Sequence, residues 1–150
     1  MMERVNDVFS RWFWHRIEHL VAWESMSLSE KDMPSSRDRL IDAFLFYSKE
    51  FPDYLFIFCP LCKKIVSKIH YNPYMDRFTF FKLVSSILGR HFKKVHSSEY
   101  RLVRKAVWQD GVLVTRNFYR CSICGALVEG LLDLIAHLTS HKYAEQVVER

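Results

Sequence analysis

The feature that most constrains this chain is a set of two cysteines and two histidines within YRCSICGALVEGLLDLIAHLTSH, residues 119–141. Cys121 and Cys124 are separated by two residues. Twelve more residues precede His137, and His141 follows four positions later, which is one turn of a helix. Zinc binds two thiolates and two imidazole nitrogens tetrahedrally, at about 2.3 and 2.0 Å. The spacing therefore predicts a zinc ion held between a cysteine-bearing turn and a histidine-bearing helix.

This run resembles the Cys2His2 zinc-finger family, and the likeness extends past the four ligands. The family places an aromatic residue two positions before the first cysteine. It places apolar residues four positions after the second cysteine and three before the first histidine. Tyr119, Val128 and Leu134 occupy these places. The resemblance implies a ββα unit, whereas a chance or redox CxxC leaves the three core positions unexplained.

The same template begins a second time at Cys59 and Cys62, in YLFIFCPLCKKIVSKI. The segment predicts a strand, a cysteine-bearing turn and a return strand. The next histidine pair is His91 and His96, and 28 residues separate Cys62 from His91. We expect this pair to complete the site, with an insertion after the return strand and a helix that begins near Asp76.

Two other ligand sets fit the cysteine spacing. His70 stands nearer in sequence, but it falls on or just beyond the return strand and faces away from the predicted site. Alternatively, the two CxxC pairs share one ion as a four-thiolate ribbon, which leaves both histidine pairs without a role. We favour two separate sites and therefore two zinc ions.

The first fifty residues predict a helical layer. Apolar residues recur at spacings of three and four over residues 3–24, a pattern typical of an amphipathic helix. A polar connection follows, and a second helix is predicted over residues 36–50, before Pro52. His15 and His19 stand four positions apart without a nearby cysteine, so we interpret them as ordinary histidines. The layer is either a scaffold or a dimerisation surface.

The predicted fold class is α+β, with two ββα fingers packed against this N-terminal helical layer. Residues 98–116 favour a hairpin around Asp110 and Gly111 over an extension of the preceding helix. The 24 residues between His96 and Cys121 far exceed a tandem-finger linker, so the fingers are expected to pack together. The segments are an N-terminal helical region (1–52), a first finger with an insertion (53–97), a basic connector (98–116), a second finger (117–143) and a tail (144–150).

Positive charge is concentrated in the middle of the chain. Residues 59–120 hold thirteen basic and three acidic side chains, a balance of +10 in a chain whose net charge is +5. A single-sign region of this size favours a polyanionic partner over a merely solvated surface. We predict that double-stranded DNA binds here, largely through its phosphates. The candidate contacts are Lys63, Lys64, Lys68, Arg90, Lys93, Lys94, Arg101, Arg104 and Lys105.

The family resemblance also implies three base-reading positions on each finger helix. Carried onto this chain, these are Gly130, Asp133 and Ala136 in the second finger and Val84, Ile87 and Arg90 in the first. Only Arg90 and Asp133 have side chains suited to reading a base. The second finger's helix is apolar on several sides, which predicts a further buried contact, either within the chain or with a partner protein.

Catalysis is not expected. A zinc ion with four protein ligands has no open position at which to activate water, and the sequence contains no nucleophile–base motif and no phosphate-binding glycine loop. All four cysteines lie in CxxC pairs, which favours metal binding in a reduced compartment. The chain lacks a membrane-length apolar stretch and a signal-peptide pattern, so we expect an intracellular protein without a membrane partner.

The double-finger layout, the enlarged first finger and the scarcity of amide side chains resemble small proteins of hyperthermophilic archaeal viruses. That resemblance implies a transcriptional regulator that acts in the host cytoplasm. The predicted function is thus a zinc-stabilised DNA-binding regulator. The alternative is a protein-interaction module, or a homodimer, that uses the apolar helices without reading DNA.

Overall fold

The computed structural model describes residues 2–26, 39–70 and 72–149, with side chains from residue 8 to residue 145 inside those ranges. The helices are α1 (Met2–Glu24), α2 (Arg77–Val95) and α3 (Leu131–Glu149), with a helical turn at 39–42 and a 3-10 turn at Ser97–Glu99. Among the described helices, none is long and apolar enough to cross a membrane.

The strands form two antiparallel three-stranded sheets. The first sheet contains β1 (Leu45–Phe46), β2 (Tyr54–Cys59) and β3 (Lys64–His70), in that order. The second contains β4 (Tyr100–Gln109), β5 (Val112–Cys121) and β6 (Leu127–Glu129), also in chain order. The predicted mixture of helix and sheet is confirmed. Each middle strand ends at a cysteine, so both CxxC turns leave the centre of a sheet.

The helix predicted over residues 36–50 is wrong beyond residue 42. Residues 39–42 are helical, but β1 then pairs with β2, and the Phe58 N–H donates to the Phe44 carbonyl at 3.0 Å. Phe44 and Phe46 are both fully buried. Residues two apart point to opposite sides of a helix, so a continued helix would not bury both rings on one face; instead, Phe44 lies in a turn and Phe46 on β1. The expected start of this helix lies outside the described residues.

The predicted hairpin around Asp110 is confirmed. β4 and β5 pair over ten residues each, from Tyr100 opposite Cys121 to Gln109 opposite Val112. The turn places Asp110 and Gly111 at φ values of 51° and 79°, both left-handed, as a two-residue type I′ turn requires. Because β5 continues to Cys121, the basic connector and the second cysteine turn share one strand.

One hydrophobic core joins both sheets, and α1 lies against its two halves. On the first sheet, the Phe58 ring meets the rings of Trp12 and Phe13, with centroids 4.5 and 5.8 Å away. At the other end of α1, the indole Nε1–H of Trp23 donates to Asp133 of α3 at 2.8 Å. Helices α2 and α3 also approach each other closely. The predicted helical layer at residues 3–24 is therefore part of the core.

We expect the substitution Phe58→Ala to lower the free energy of unfolding by about 3–5 kcal/mol, because it removes a fully buried ring from the aromatic cluster. Urea unfolding with metal present throughout measures the change. The control is Tyr74→Ala, whose side chain is 94% exposed and whose loss should cost about 0.5 kcal/mol or less. Equal effects from the two substitutions would contradict the placement of Phe58 in the core.

Candidate metal centres

The eight cysteines and histidines predicted as ligands converge in two groups. The first centre comprises Cys59, Cys62, His91 and His96, and the second comprises Cys121, Cys124, His137 and His141. In each group, the four side chains offer ligand atoms that lie within 4.8 Å of one another. Each group could therefore hold one metal ion. The four-thiolate alternative does not match this arrangement, since each cysteine pair lies with its own histidine pair.

The first centre is positioned by the turn between β2 and β3 and by the end of α2. The Lys63 N–H donates to the Cys59 carbonyl at 2.9 Å, which closes the turn that carries both cysteines. Helix α2 begins where the Asp76 carboxylate accepts the backbone N–H of Thr79 at 2.7 Å, as the sequence predicted. These hydrogen bonds hold the pKa of Asp76 below its ordinary value. The helix ends at Val95, so it delivers His91 on its last turns and His96 as its C-cap.

The donor atoms of the first centre lie close to the spacing of a tetrahedral ion, and two of the three distances are slightly shorter. Cys62 Sγ lies 3.2 Å from His91 Nε2 and 2.9 Å from His96 Nε2. Cys59 Sγ lies 3.5 Å from His96 Nε2. Donors at zinc-like bond lengths in a tetrahedron stand about 3.3–3.8 Å apart. A small opening of the first centre thus accommodates an ion of this kind.

The second centre has the same kind of cysteine turn as the first. Its two histidines, however, lie within their helix and not at its end. The Gly125 N–H donates to the Cys121 carbonyl at 2.8 Å, and Gly125 has a φ of 76°. Lys63 also has a left-handed φ, of 61°. It follows Cys59 by four residues, as Gly125 follows Cys121. Helix α3 then places His137 and His141 one turn apart, with their Nε2 atoms 3.2 Å from each other. Cys124 Sγ lies 3.2 Å from His137 Nε2.

The two centres differ in their electrostatics. Burial raises the pKa of the Cys59 thiol to about 12. Hydrogen bonds from the Ala126 backbone and the His137 side chain lower the pKa of Cys124 to about 6. Burial and the neighbouring His96 lower the pKa of His91. A cation at the first centre supplies the positive charge that the Cys59 thiolate needs, whereas Cys124 is already suited to ionise near neutral pH.

A carboxylate supports one histidine in each centre. Glu99 Oε2 lies 2.9 Å from His96 Nδ1, and Glu24 Oε1 lies 2.7 Å from His137 Nδ1. Burial opposes the charged form of His137, but Glu24 and Cys124 outweigh it, and its pKa is raised. Metal-binding histidines commonly donate their second N–H to a carboxylate, which leaves Nε2 as the ligand atom. Both contacts therefore suit a metal centre.

The sequence analysis missed both carboxylates. Glu24 lies 113 residues from His137, so no local spacing could relate them. Glu99 is only three positions after His96, and a search for acidic residues beside the predicted ligands finds it. Glu99 also links the centres, because its carboxylate pairs with Lys142 of α3 at 3.3 Å. Its carbonyl accepts the N–H of Ser122, inside the second CxxC turn, at 3.1 Å.

The remaining histidines lie outside both groups. His70 ends β3, is exposed, and meets the Tyr54 ring edge-on with centroids 5.5 Å apart. His15 and His19 are exposed on α1. Burial, Arg16 and His15 lower the pKa of His19, which keeps that histidine uncharged near neutral pH.

The positions that the family resemblance assigned to base reading are mostly covered. In α3, Ala136 is fully buried, and Asp133 accepts the hydrogen bond from Trp23 of α1. In α2, Val84 is fully buried and Ile87 is partly buried, whereas Arg90 is exposed. The covered faces cannot lie in a DNA groove while this core persists. Arg90 alone of the six assigned positions combines exposure with a base-reading side chain.

All nine basic residues predicted to contact DNA are exposed. Lys63, Lys64 and Lys68 lie on the β2–β3 turn and β3. Arg90, Lys93 and Lys94 lie near the end of α2, and the other three lie on β4. Arg116 and Arg120 of β5 stand opposite Lys105 and Arg101 of β4, so two further arginines lie beside the predicted residues. The pairing of β4 with β5 identifies these neighbours, which cannot be found from spacing along the sequence alone.

Comparisons with family models, curated proteins and solved structures found no match for this chain.

We expect Glu24→Ala to weaken metal binding at the second centre by about 10–100-fold, because His137 loses the carboxylate that orients it. Competition with a chromophoric chelator should show one of two bound ions released at a lower chelator concentration. Glu18→Ala removes an exposed carboxylate from the same helix and should leave both affinities unchanged. Wild-type affinity for both ions in Glu24→Ala would contradict the supporting role.

Proposed function

We propose that this chain is a zinc-stabilised DNA-binding protein with a regulatory role. The observation that carries the zinc assignment is the donor set, two sulfurs and two imidazole nitrogens at each of two points. Thiolate and imidazole ligands favour zinc over magnesium, calcium or manganese, which prefer oxygen. Four protein ligands leave no position for substrate, so both ions serve the fold.

The chain order around each centre supports a pair of ββα fingers. In the first, β2, the cysteine turn and β3 precede α2, and the predicted insertion, residues 69–76 and their neighbours, corresponds to the end of β3 and the connection to α2. In the second, β5, the cysteine turn and β6 precede α3. The helix α1 packs on both, so the unit we propose is a fused double finger rather than two fingers joined by a flexible linker.

Exposed charge supports a polyanionic partner. Of the three acidic residues between 59 and 120, Asp76 caps α2 and Glu99 is engaged with His96 and Lys142. Within this range the thirteen basic residues therefore outnumber the remaining acidic residue, Asp110, and outside it Glu129 lies 3.6 Å from Arg116. Lysine and arginine side chains bind phosphates and release the counterions of DNA, which gives salt-dependent affinity.

The protein-interaction alternative is weakened by the packing of α3. Its apolar residues Leu134, Ile135 and Leu138 are fully buried within the chain. The second buried contact that the sequence required is thus provided by the core that includes α1. The apolar character of these α3 residues is therefore explained by the core, without a partner protein.

We expect affinity for duplex DNA to fall steeply as salt rises, with a log–log slope of up to about −8 if all nine basic residues contact phosphates. Fluorescence anisotropy at several salt concentrations measures the slope. Reversing two charges with Lys93→Glu and Lys94→Glu should abolish binding. The matched control, Arg39→Glu with Lys49→Glu, makes the same charge change at exposed residues outside the proposed surface. Salt-independent binding, or equal losses in both double variants, would refute this surface.

Removal of zinc should unfold the protein cooperatively, because Cys59 and Cys121 are buried in the shared core. Elemental analysis should give two zinc ions per chain. Circular dichroism during titration with a strong chelator should show the loss of helix as the ions leave. A fold that persists in excess chelator after both ions are removed would overturn the structural role of the metal.

A further inference from the structure

The outer part of the β4–β5 hairpin, residues 104–117, extends past the rest of the second sheet. β6 pairs only with residues 118–120 of β5, so among the described residues no third strand pairs with the outer hairpin. None of its residues is buried. A two-stranded hairpin with no apolar face to bury is at best marginally stable in water. The needs of the hydrophobic core therefore do not explain why this element is so long.

One face of the outer hairpin is exposed throughout. The cross-strand pairs on it are Arg104 with Asn117, Ala106 with Thr115, and Trp108 with Leu113. They share a face because side chains alternate along each strand. All six are exposed, and Trp108 and Leu113 retain 75% and 55% of their accessible surface. We call this set the ribbon face.

The opposite face is partly covered by its own side chains. Val107 and Val114 stand opposite each other there and are half-buried. Arg116 donates to the Gln109 side chain at 3.1 Å and lies 3.6 Å from a carboxylate oxygen of Glu129. Side chains on this face thus contact one another, whereas those on the ribbon face are exposed. The ribbon face combines polar and apolar side chains that the fold leaves exposed.

We propose that the outer hairpin enters the major groove of duplex DNA as a two-stranded ribbon, with the ribbon face toward the base edges. This inference rests on the proposed function and names the element that reads the DNA. The major groove, about 12 Å wide, admits a two-stranded ribbon. Arginine reads guanine, asparagine reads adenine, and the methyl groups of alanine and threonine contact the thymine methyl. Arg104, Asn117, Ala106 and Thr115 place these chemistries side by side.

Charge selects this partner over a second copy of the chain. Residues 100–121 contain five basic side chains and one acidic side chain, Asp110. β4 is an edge strand of its sheet, and an edge can pair with the same strand of another molecule. Arg101 and Lys105 on that edge, which lie on the face away from the bases, repel a second copy and attract phosphates. Double-stranded RNA fits poorly, because its major groove is too deep and narrow for side chains to read.

The test is site selection from a pool of random-sequence DNA duplexes, followed by affinity measurements on the selected and unselected duplexes. With Arg104→Ala and Asn117→Ala together, affinity for the selected site should fall by roughly 10–100-fold, while affinity for random duplex stays within about threefold. The matched variant, Arg101→Ala, removes one exposed cation from the other face and so makes the same change in charge. It should weaken both affinities equally and leave their ratio intact.

Folding is checked separately, because each variant should keep two zinc ions and the wild-type circular dichroism spectrum. The proposal is contradicted if the double variant Arg104→Ala with Asn117→Ala keeps the wild-type ratio of affinity for the selected site to affinity for random duplex. It is equally overturned if the wild-type protein selects no sequence, or binds RNA duplex as tightly as DNA. Those results leave the proposed function standing as long as salt-dependent binding is lost in Lys93→Glu with Lys94→Glu. If the wild-type protein binds no duplex at low salt, the proposed function itself fails.

Discussion

The structure depends on the convergence of two sulfurs and two imidazole nitrogens at each of two points. In the first centre, the buried Cys59 lies 3.5 Å from a histidine nitrogen, and burial disfavours its thiolate in the absence of a cation. A divalent ion reverses that preference and ties a strand end to a helix end. Each sheet has only three strands, and one strand in each is three residues or shorter. Sheets of this size gain much of their stability from a metal ion that links a strand to a helix.

Helix α1 packs against both small units that surround the candidate metal centres and joins them in one core. Its aromatic rings cover Phe58 of the first sheet, and its last turn supplies Trp23 and Glu24 to α3. Glu24 thus connects the N-terminal helix to a ligand of the second centre, and Glu99 connects the first centre to the turn of the second. Loss of an ion from either centre should therefore disturb the other, since Glu99 contacts both and the two share one core.

The ligands were predictable from the sequence because their spacing is local. A CxxC turn and a histidine pair on one helix need no knowledge of distant residues, and an insertion only lengthens the gap between them. The helix expected over 36–50 failed because pairing of Leu45 and Phe46 with β2 is a long-range contact that overrides local apolar spacing. Glu24 was missed for the same reason, since its partner His137 is 113 residues away. Contacts that carry a recognisable motif were thus readable even across a gap of 28 residues, whereas contacts between segments without a motif were not.

The packing of α1 also determines which surface remains for DNA. By covering α3 at Asp133 and Ala136, it removes the helix face that a finger would place in the groove. In α2, burial of Val84 leaves only Arg90 of the assigned positions both exposed and suited to reading a base. The positive charge of the central segment lies instead on β3, on the end of α2 and on the β4–β5 hairpin. Under the proposed function, DNA must therefore contact elements whose surface this core leaves exposed, and the outer part of the β4–β5 hairpin is one of them.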